Sequence, residues 1–300
     1  PLITQQDIIE GCKKQMRGAL QMNDFDERVV PTEGLDNVMV SESVKDHLQE
    51  MVDIEKARGV LFGLWGFDGS MRDRQGTTAL FCGPPGVGKS RAAEALGFEL
   101  GKPLKVVDFP QLLGKQSMKS NLTIVREVFK EARLMNAVLI LDGHSLQTEG
   151  GEGKASIDDL RLLNLLVKEM TRFPGVVIMM LESNGSMDVF LSRIDKSLIT
   201  GLKFVVEFGF PNLQSRKLFW KKIFPKSIPI SDGKINFSLL AKSSDGFNFV
   251  QMGNALYRAA ASAALRQENK RFLTMLDLTE AVKAERKRGE SAIDRWVKAT

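Results

Sequence analysis

The sequence predicts an α/β layered domain followed by a helical one. Two observations carry this. Between residues 77 and 208 short apolar runs of strand length alternate with helical patterns, and beyond Pro211 only helical patterns remain. Bulk composition agrees: 300 residues, 43% hydrophobic and 26% charged, suffice for one large domain or two smaller ones, each with its own core.

The chain opens at Pro1 without a methionine, which reads as a fragment or a processed product. Leu2-Ile3-Thr4-x-x-Asp7-Ile8-x-Glu10-x-x-Lys13 echoes Phe272-Leu273-Thr274-x-x-Asp277-Leu278-x-Glu280-x-x-Lys283. In both, Thr stands three residues before Asp, the pattern of a helix N-cap with an acid in the first turn. The echo is either chance or a sign that Pro1–Arg17 closes a preceding, similar domain of a tandem protein. Met22–Gly34 reads as a polar linker, so residues 1–40 form an N-terminal helix and linker. A helix is expected over Glu42–Arg58.

The alternation follows. Thr77–Cys82 reads as a strand, Lys89–Leu100 as a helix and Leu104–Asp108 as a strand. Ser120–Met135 is a helix, Ala137–Asp142 a strand, and Ile157–Phe173 a helix. Val176–Ser183 is a buried strand and Phe204–Phe208 the last one. The large domain thus covers 41–211. Residues 212–300 hold helices at Leu213–Phe224, Phe237–Lys242, Phe249–Gln267 and Thr274–Arg288; Ala255–Ala264 is rich in small side chains that allow close helix approach.

Several function classes recede. No apolar run approaches the ~18–20 residues that span a bilayer, and no signal peptide is evident, so no membrane partner is expected. Cys12 and Cys82 are isolated, and His47 and His144 are the only histidines. That speaks against a disulfide framework or a zinc centre and for a reducing, intracellular (cytoplasmic) setting. The net charge of +5 is dispersed except at Lys283, Arg286, Lys287 and Arg288. Such a cluster either touches nucleic acid or is the solvated face of a terminal helix, and the second reading is preferred.

The strongest signal is Gly83-Pro84-Pro85-Gly86-Val87-Gly88-Lys89-Ser90, a Gly, four residues, then Gly-Lys-Ser, set between an apolar strand and a helix. Glycines allow backbone N–H groups to turn toward phosphate oxygens. Lys89 supplies a mobile charge for β- and γ-phosphates, Ser90 a hydroxyl for Mg²⁺, and the helix its positive N-terminal end. Arg91 completes the candidate nucleotide-binding stretch. Ala137–Asp142, an apolar strand ending in an acid 53 residues after Lys89, offers Asp142 as the second Mg²⁺ residue.

With these motifs the chain resembles the AAA+ ATPases over most of its length, particularly bacterial-type tandem members. Further landmarks are Trp65-Gly66-Phe67-Asp68, Pro103-Leu104-x-x-Val107-Asp108, Phe129-x-Glu131-Ala132, Asn136-Ala137-Val138-Leu139, Phe204-Val205-Val206-Glu207-Phe208, and Arg216 with Trp220. The resemblance implies a three-layer α/β/α domain on a parallel sheet with a helical lid. It also implies ATP and Mg²⁺ as ligands, assembly into a ring (six by family habit) or with a partner AAA domain, and a protein substrate.

The same resemblance exposes departures. Where the family follows the magnesium Asp with a Glu that activates water, this chain has Gly143 and then His144. A base in reach of water contributes ~10²–10⁴ in rate. Glu182 and, less readily, His144 are the candidate replacements. Asn184 matches the sensor residue after the next strand, and Arg193 the one retained arginine finger, with Ser192 in the other position. An extra stretch follows at about Ile194–Gly201. Lys115-Gln116-Ser117-Met118-Lys119 lacks the aromatic of the threading loop, and Gly253 occupies the place of a lid arginine. The expected function is an ATP-binding AAA+ module with slow or absent hydrolysis. The alternatives are an active ATPase with a relocated or partner-supplied base, and a nucleic-acid-associated ATPase.

Overall fold

The computed structural model describes residues 26–67, 76–108, 118–143, 157–182, 201–231 and 235–297. Six strands form one sheet: β1 (Asp26–Val29), β2 (Thr77–Gly83), β3 (Leu104–Asp108), β4 (Val138–Gly143), β5 (Val176–Glu182) and β6 (Phe204–Glu207), in the order β1-β3-β4-β5-β2-β6. The helices are α1 (Glu42–Gly63), α2 (Lys89–Glu99), α3 (Met118–Leu134), α4 (Ile157–Arg172), α5 (Leu213–Ile223), α6 (Phe237–Ser243), α7 (Phe249–Ala264) and α8 (Met275–Val297). The chain divides into two compact units. The first comprises 1–37, 47–82 and 90–206; the second comprises 38–46, 83–89 and 207–300.

In the first unit β3, β4 and β5 run parallel, with Leu104 opposite Val138, Asp108 opposite Asp142, and Gly143 opposite Leu181. Strand β2 is buried along its whole length, as is β5 up to Leu181. Such continuous apolar runs belong to parallel strands covered on both faces. On one face Leu80, Cys82, Leu139, Leu141, Val177, Met179 and Leu181 pack against Val125, Val128 and Phe129 of α3 and Leu166, Val167 and Met170 of α4. On the other, α2 meets β3 at Gly97, where a Cβ would stand 2.8 Å from Leu104 Cδ1. The α/β expectation is borne out.

One expectation is corrected. The linker reading of Met22–Gly34 contains β1, paired antiparallel with β3 from Asp26↔Val107 to Val29↔Leu104. Asp-Glu-Arg-Val shows no alternation of polar and apolar residues, because Glu27 and Arg28, on opposite faces of the strand, are both exposed. Two helices also outrun their expected ends, α1 to Gly63 and α8 to Val297, whereas α7 stops at Ala264 ahead of a 3₁₀ turn at Glu268–Lys270. Pro1–Arg17 and its echo lie outside the described residues. Among the described residues no helix is long and apolar enough to cross a membrane.

A buried acid ties α1 to the sheet. The Glu55 side chain, 5% exposed, accepts from Lys102 Nζ at 2.7 Å, from Arg58 at 3.1 Å and from the Thr77 hydroxyl at 3.3 Å. In the second unit, Trp220 is fully buried among α5, α6, α7 and α8, and its indole N–H donates to Ser244 Oγ at 3.0 Å. Arg216, one helical turn earlier, is buried as well. It donates to the Ala241 and Pro211 carbonyls, both at 2.9 Å, and pairs with Asp245. Three helices begin on asparagine side chains: Asn212 accepts from Ser215 N, Asn236 from Leu239 N, and Asn248 from Gln251 N. Each satisfies an N–H that the helix leaves open.

The Thr-x-x-Asp reading holds at α8. The Asp277 N–H donates to Thr274 Oγ1, while the Thr274 hydroxyl and N–H donate to Asp277, which also pairs with Arg266. Burial acts to raise the Asp277 carboxyl, but the hydrogen bonds from Arg266 and Thr274 outweigh it and hold it below its ordinary value. A lowered folded-state value contributes stability above the unfolded value, near pH 4, and loses it as pH falls through the folded one. The stability gap between the intact chain and Asp277→Asn, read as Tm, is therefore expected to be constant from pH 7 to 5 and to narrow below roughly pH 4. Glu55→Ala leaves Lys102 and Arg58 without their carboxylate. Because both cations keep some solvent, the expected cost in chemical denaturation is about 2–3 kcal/mol, under that of a fully buried pair.

Candidate functional site

The chain leaves β2 at Gly83 and enters α2 at Lys89 through the glycine-rich loop. Gly83, Gly86 and Gly88 have φ of 148°, 73° and 102°, so the loop turns through backbone angles that other residues rarely adopt. At Gly86 space is as restrictive as conformation: a Cβ there would lie 2.8 Å from Asn248 Nδ2. Lys89 is buried, and its Nζ donates to the Gly83 carbonyl at 2.7 Å and the Pro84 carbonyl at 2.8 Å. The ammonium is thus held over the start of its own loop, with its stem fixed in the first turn of α2.

Beside the loop, within the second unit, lies a pocket of about 250 Å³. Val40 just ahead of α1, Val44 in its first turn, Val87 from the loop, Phe208, Phe210 and Phe249 line it, with Ser41, Asn212 and Ser215 as polar members. An apolar and aromatic cleft with a few polar groups suits a flat heterocycle. Motif reading missed this pocket. Its walls come from four separate segments, and Val40 falls in the stretch 1–40 that the sequence reads as N-terminal helix and linker. The one available signal was Phe208-Gly209-Phe210-Pro211, apolar residues continuing past a strand end.

In the first unit, Ser90 is exposed in the first turn of α2. Arg91 is also exposed and forms a surface ion pair with Glu33 at 3.5 Å. Asp142 is half-buried near the end of β4. Its register partners are Asp108 on β3 and Met180 on β5. Glu182 lies two residues past Met180, so strand alternation puts Asp108, Asp142 and Glu182 on one sheet face. Gly143 pairs with Leu181, whose side chain belongs to the α3–α4 core. A side chain at 143 would therefore leave from the opposite face. Glu182 shares the face of the magnesium candidate, not that of the missing glutamate. Asp108, noticed in the sequence only as a landmark, joins this row. Asn184, Arg193, His144 and Lys115–Ser117 lie outside the described residues. Gly253 sits in α7, where a Cβ would meet Ile223 at 3.5 Å, an ordinary contact.

A family model, ATPase family associated with various cellular activities (AAA), matches residues 79–211, from within β2 to the start of the helical segment. Residues 79–211 thus match an AAA ATPase domain. Curated relatives agree. It is 26% identical to an ATP-dependent zinc metalloprotease FtsH of Mycoplasma mobile over 85% of this chain and 35% of that protein. It is 28% identical to the FtsH of Halothermothrix orenii over 80% and 37%, and 24% identical to that of Metamycoplasma arthritidis over 88% and 34%. The chain thus spans about a third of the length of these relatives. The resemblance read from the motifs agrees with these matches. Among the described residues no group of three or more His, Cys, Asp or Glu side chains could hold a metal ion.

The loop of the AAA domain depends on glycine at 86. Gly86→Ala forces a positive φ on a residue with a Cβ and drives that Cβ into Asn248. The expected loss of stability is about 1–2 kcal/mol, measured by denaturant unfolding of the unliganded protein.

Proposed function

We propose that this AAA module binds MgATP through Gly83–Ser90 and turns it over slowly. The observation that carries the reading is the loop with buried Lys89 beside an apolar pocket of a size for a nucleobase. The base enters between Val40 and Phe210, and the phosphates run along the loop under Lys89. Ser90 and Asp142 offer the hard oxygen donors that Mg²⁺ takes, and the ion supplies neutralisation of phosphate charge. Gly143 leaves the attacking water without the neighbouring base. ADP is then the slow product, and the bound state works as a structural or regulatory element.

The relatives' name, ATP-dependent zinc metalloprotease, supports a setting in which ATP is used in acting on proteins. Assembly with further copies in a ring, or with an active AAA domain of a tandem protein, fits this reading. A second reading keeps turnover, with Glu182 as base, and rests on its sharing the sheet face of Asp142. The nucleic-acid reading loses support at Arg286. Its guanidinium donates to the Ser243 and Asp245 carbonyls, both at 2.9 Å, and lies 5.1 Å over the Phe247 ring, so it caps α6.

The test is to incubate the protein with labelled ATP and Mg²⁺, re-isolate it, and identify the nucleotide retained. Intact ATP is expected, lost in Lys89→Ala; failure of the unaltered chain to retain nucleotide removes the proposal. Gly143→Glu is expected to raise phosphate release by about 10²-fold or more. Rapid release by the unaltered chain, abolished by Glu182→Gln, would favour the second reading instead.

A further inference from the structure

Two hydrogen bonds join the start of α7 to the phosphate loop. Asn248 Nδ2 donates to the Pro85 carbonyl at 3.1 Å, and the Phe249 N–H donates to the Gly86 carbonyl at 3.1 Å. The orientation of the Asn248 amide follows from its network. Its Oδ1 accepts from Gln251 N at 2.8 Å, so the nitrogen is the atom left facing Pro85. The residue itself is anchored, because its own N–H donates to Gln251 Oε1 at 2.9 Å in a reciprocal capping box. Phe249 is anchored too, its ring 4.9 Å from that of Phe219 on α5.

Peptide planarity converts these contacts into a statement about the loop. The Pro85 carbonyl shares a rigid trans plane with the Gly86 N–H, and the Gly86 carbonyl shares one with the Val87 N–H. In each plane the two bonds point in opposite directions. Holding both carbonyls toward α7 therefore turns two successive N–H groups away from it. These are the donors that a loop with positive-φ glycines uses to cradle an anion. A glycine hinge is otherwise free to rotate these planes, at a cost in conformational entropy when a phosphate fixes them.

We propose that Asn248 is a positioning residue for phosphate binding: through the Pro85 carbonyl it presets the Gly86 N–H, and so couples the helical domain to the nucleotide without touching it. The inference rests on the nucleotide reading above. Its two roles, capping α7 and holding the loop, are separable. Asn248→Ser keeps an oxygen that accepts from Gln251 N but has no donor that reaches Pro85, whereas Asn248→Ala loses both.

The experiment measures ATP and ADP affinity by calorimetric titration, and the Tm of the unliganded protein, for the intact chain and both variants. In Asn248→Ser both nucleotides are expected to bind about two- to tenfold more weakly, the range for one net hydrogen bond, with unliganded Tm unchanged. In Asn248→Ala the affinity loss is accompanied by a lower Tm. Unaltered affinity in Asn248→Ser overturns the proposal while leaving the nucleotide reading standing. So does an affinity loss matched by a Tm drop equal to that of Asn248→Ala, since the cap alone then explains it. No ATP binding by the intact chain overturns the nucleotide reading and this inference with it.

Discussion

A sheet covered on both faces leaves its strands only one place for chemistry. Every side chain along β2, and nearly every one along β5, is enclosed between helices, where an uncompensated polar group is costly. Polar function must begin where the strands stop. The glycine loop starts as β2 ends; Asp108 and Glu182 are the last residues of β3 and β5, and Asp142 is the last but one of β4. The parallel register then does the sorting. Because Asp142 aligns with Asp108 and Met180 while Gly143 aligns with Leu181, one residue along β4 separates the row of carboxylates from the face that packs on α3 and α4.

The helical unit solves a different problem with different means. Its core gathers around Trp220, and its helix ends are closed by side chains, not by the chain continuing. Asparagines open three helices, Thr274 and Asp277 open a fourth, and Arg286 reaches back to the carbonyls that end α6. Two acids, Asp277 and Glu285, receive the arginines Arg266 and Arg258 from the α7 side. Much of what looks like surface charge in the sequence is thus spent on fixing helix ends and helix pairs.

That difference explains what could be read from the sequence and what could not. The phosphate loop and the strands of the sheet interior were legible, because a buried parallel strand must be continuously apolar and a phosphate cradle must contain glycine and lysine. The Thr-x-x-Asp cap of α8 was legible because capping is local. Strand β1 was not: Asp26 to Val29 carry no alternation, and only their pairing with β3 makes them a strand. The pocket was not, because Val40, Phe210 and Phe249 are far apart in sequence and each alone is an ordinary apolar residue. Arg286 was misleading for the opposite reason. It stands among basic neighbours, and nothing in the sequence marks the carbonyls it caps.

Strand β1 also bears on how the domain can be handled in isolation. Without it, β3 would be the outermost strand, with open N–H and C=O groups beside Val107 of the hydrophobic core. An open edge of that kind recruits strands from other molecules. A domain boundary drawn just before Met39 would keep the glycine loop, Asp142 and the pocket, and still yield a protein inclined to self-associate through its sheet. The four residues Asp26–Val29 therefore belong to the solubility of the AAA domain as much as to its fold.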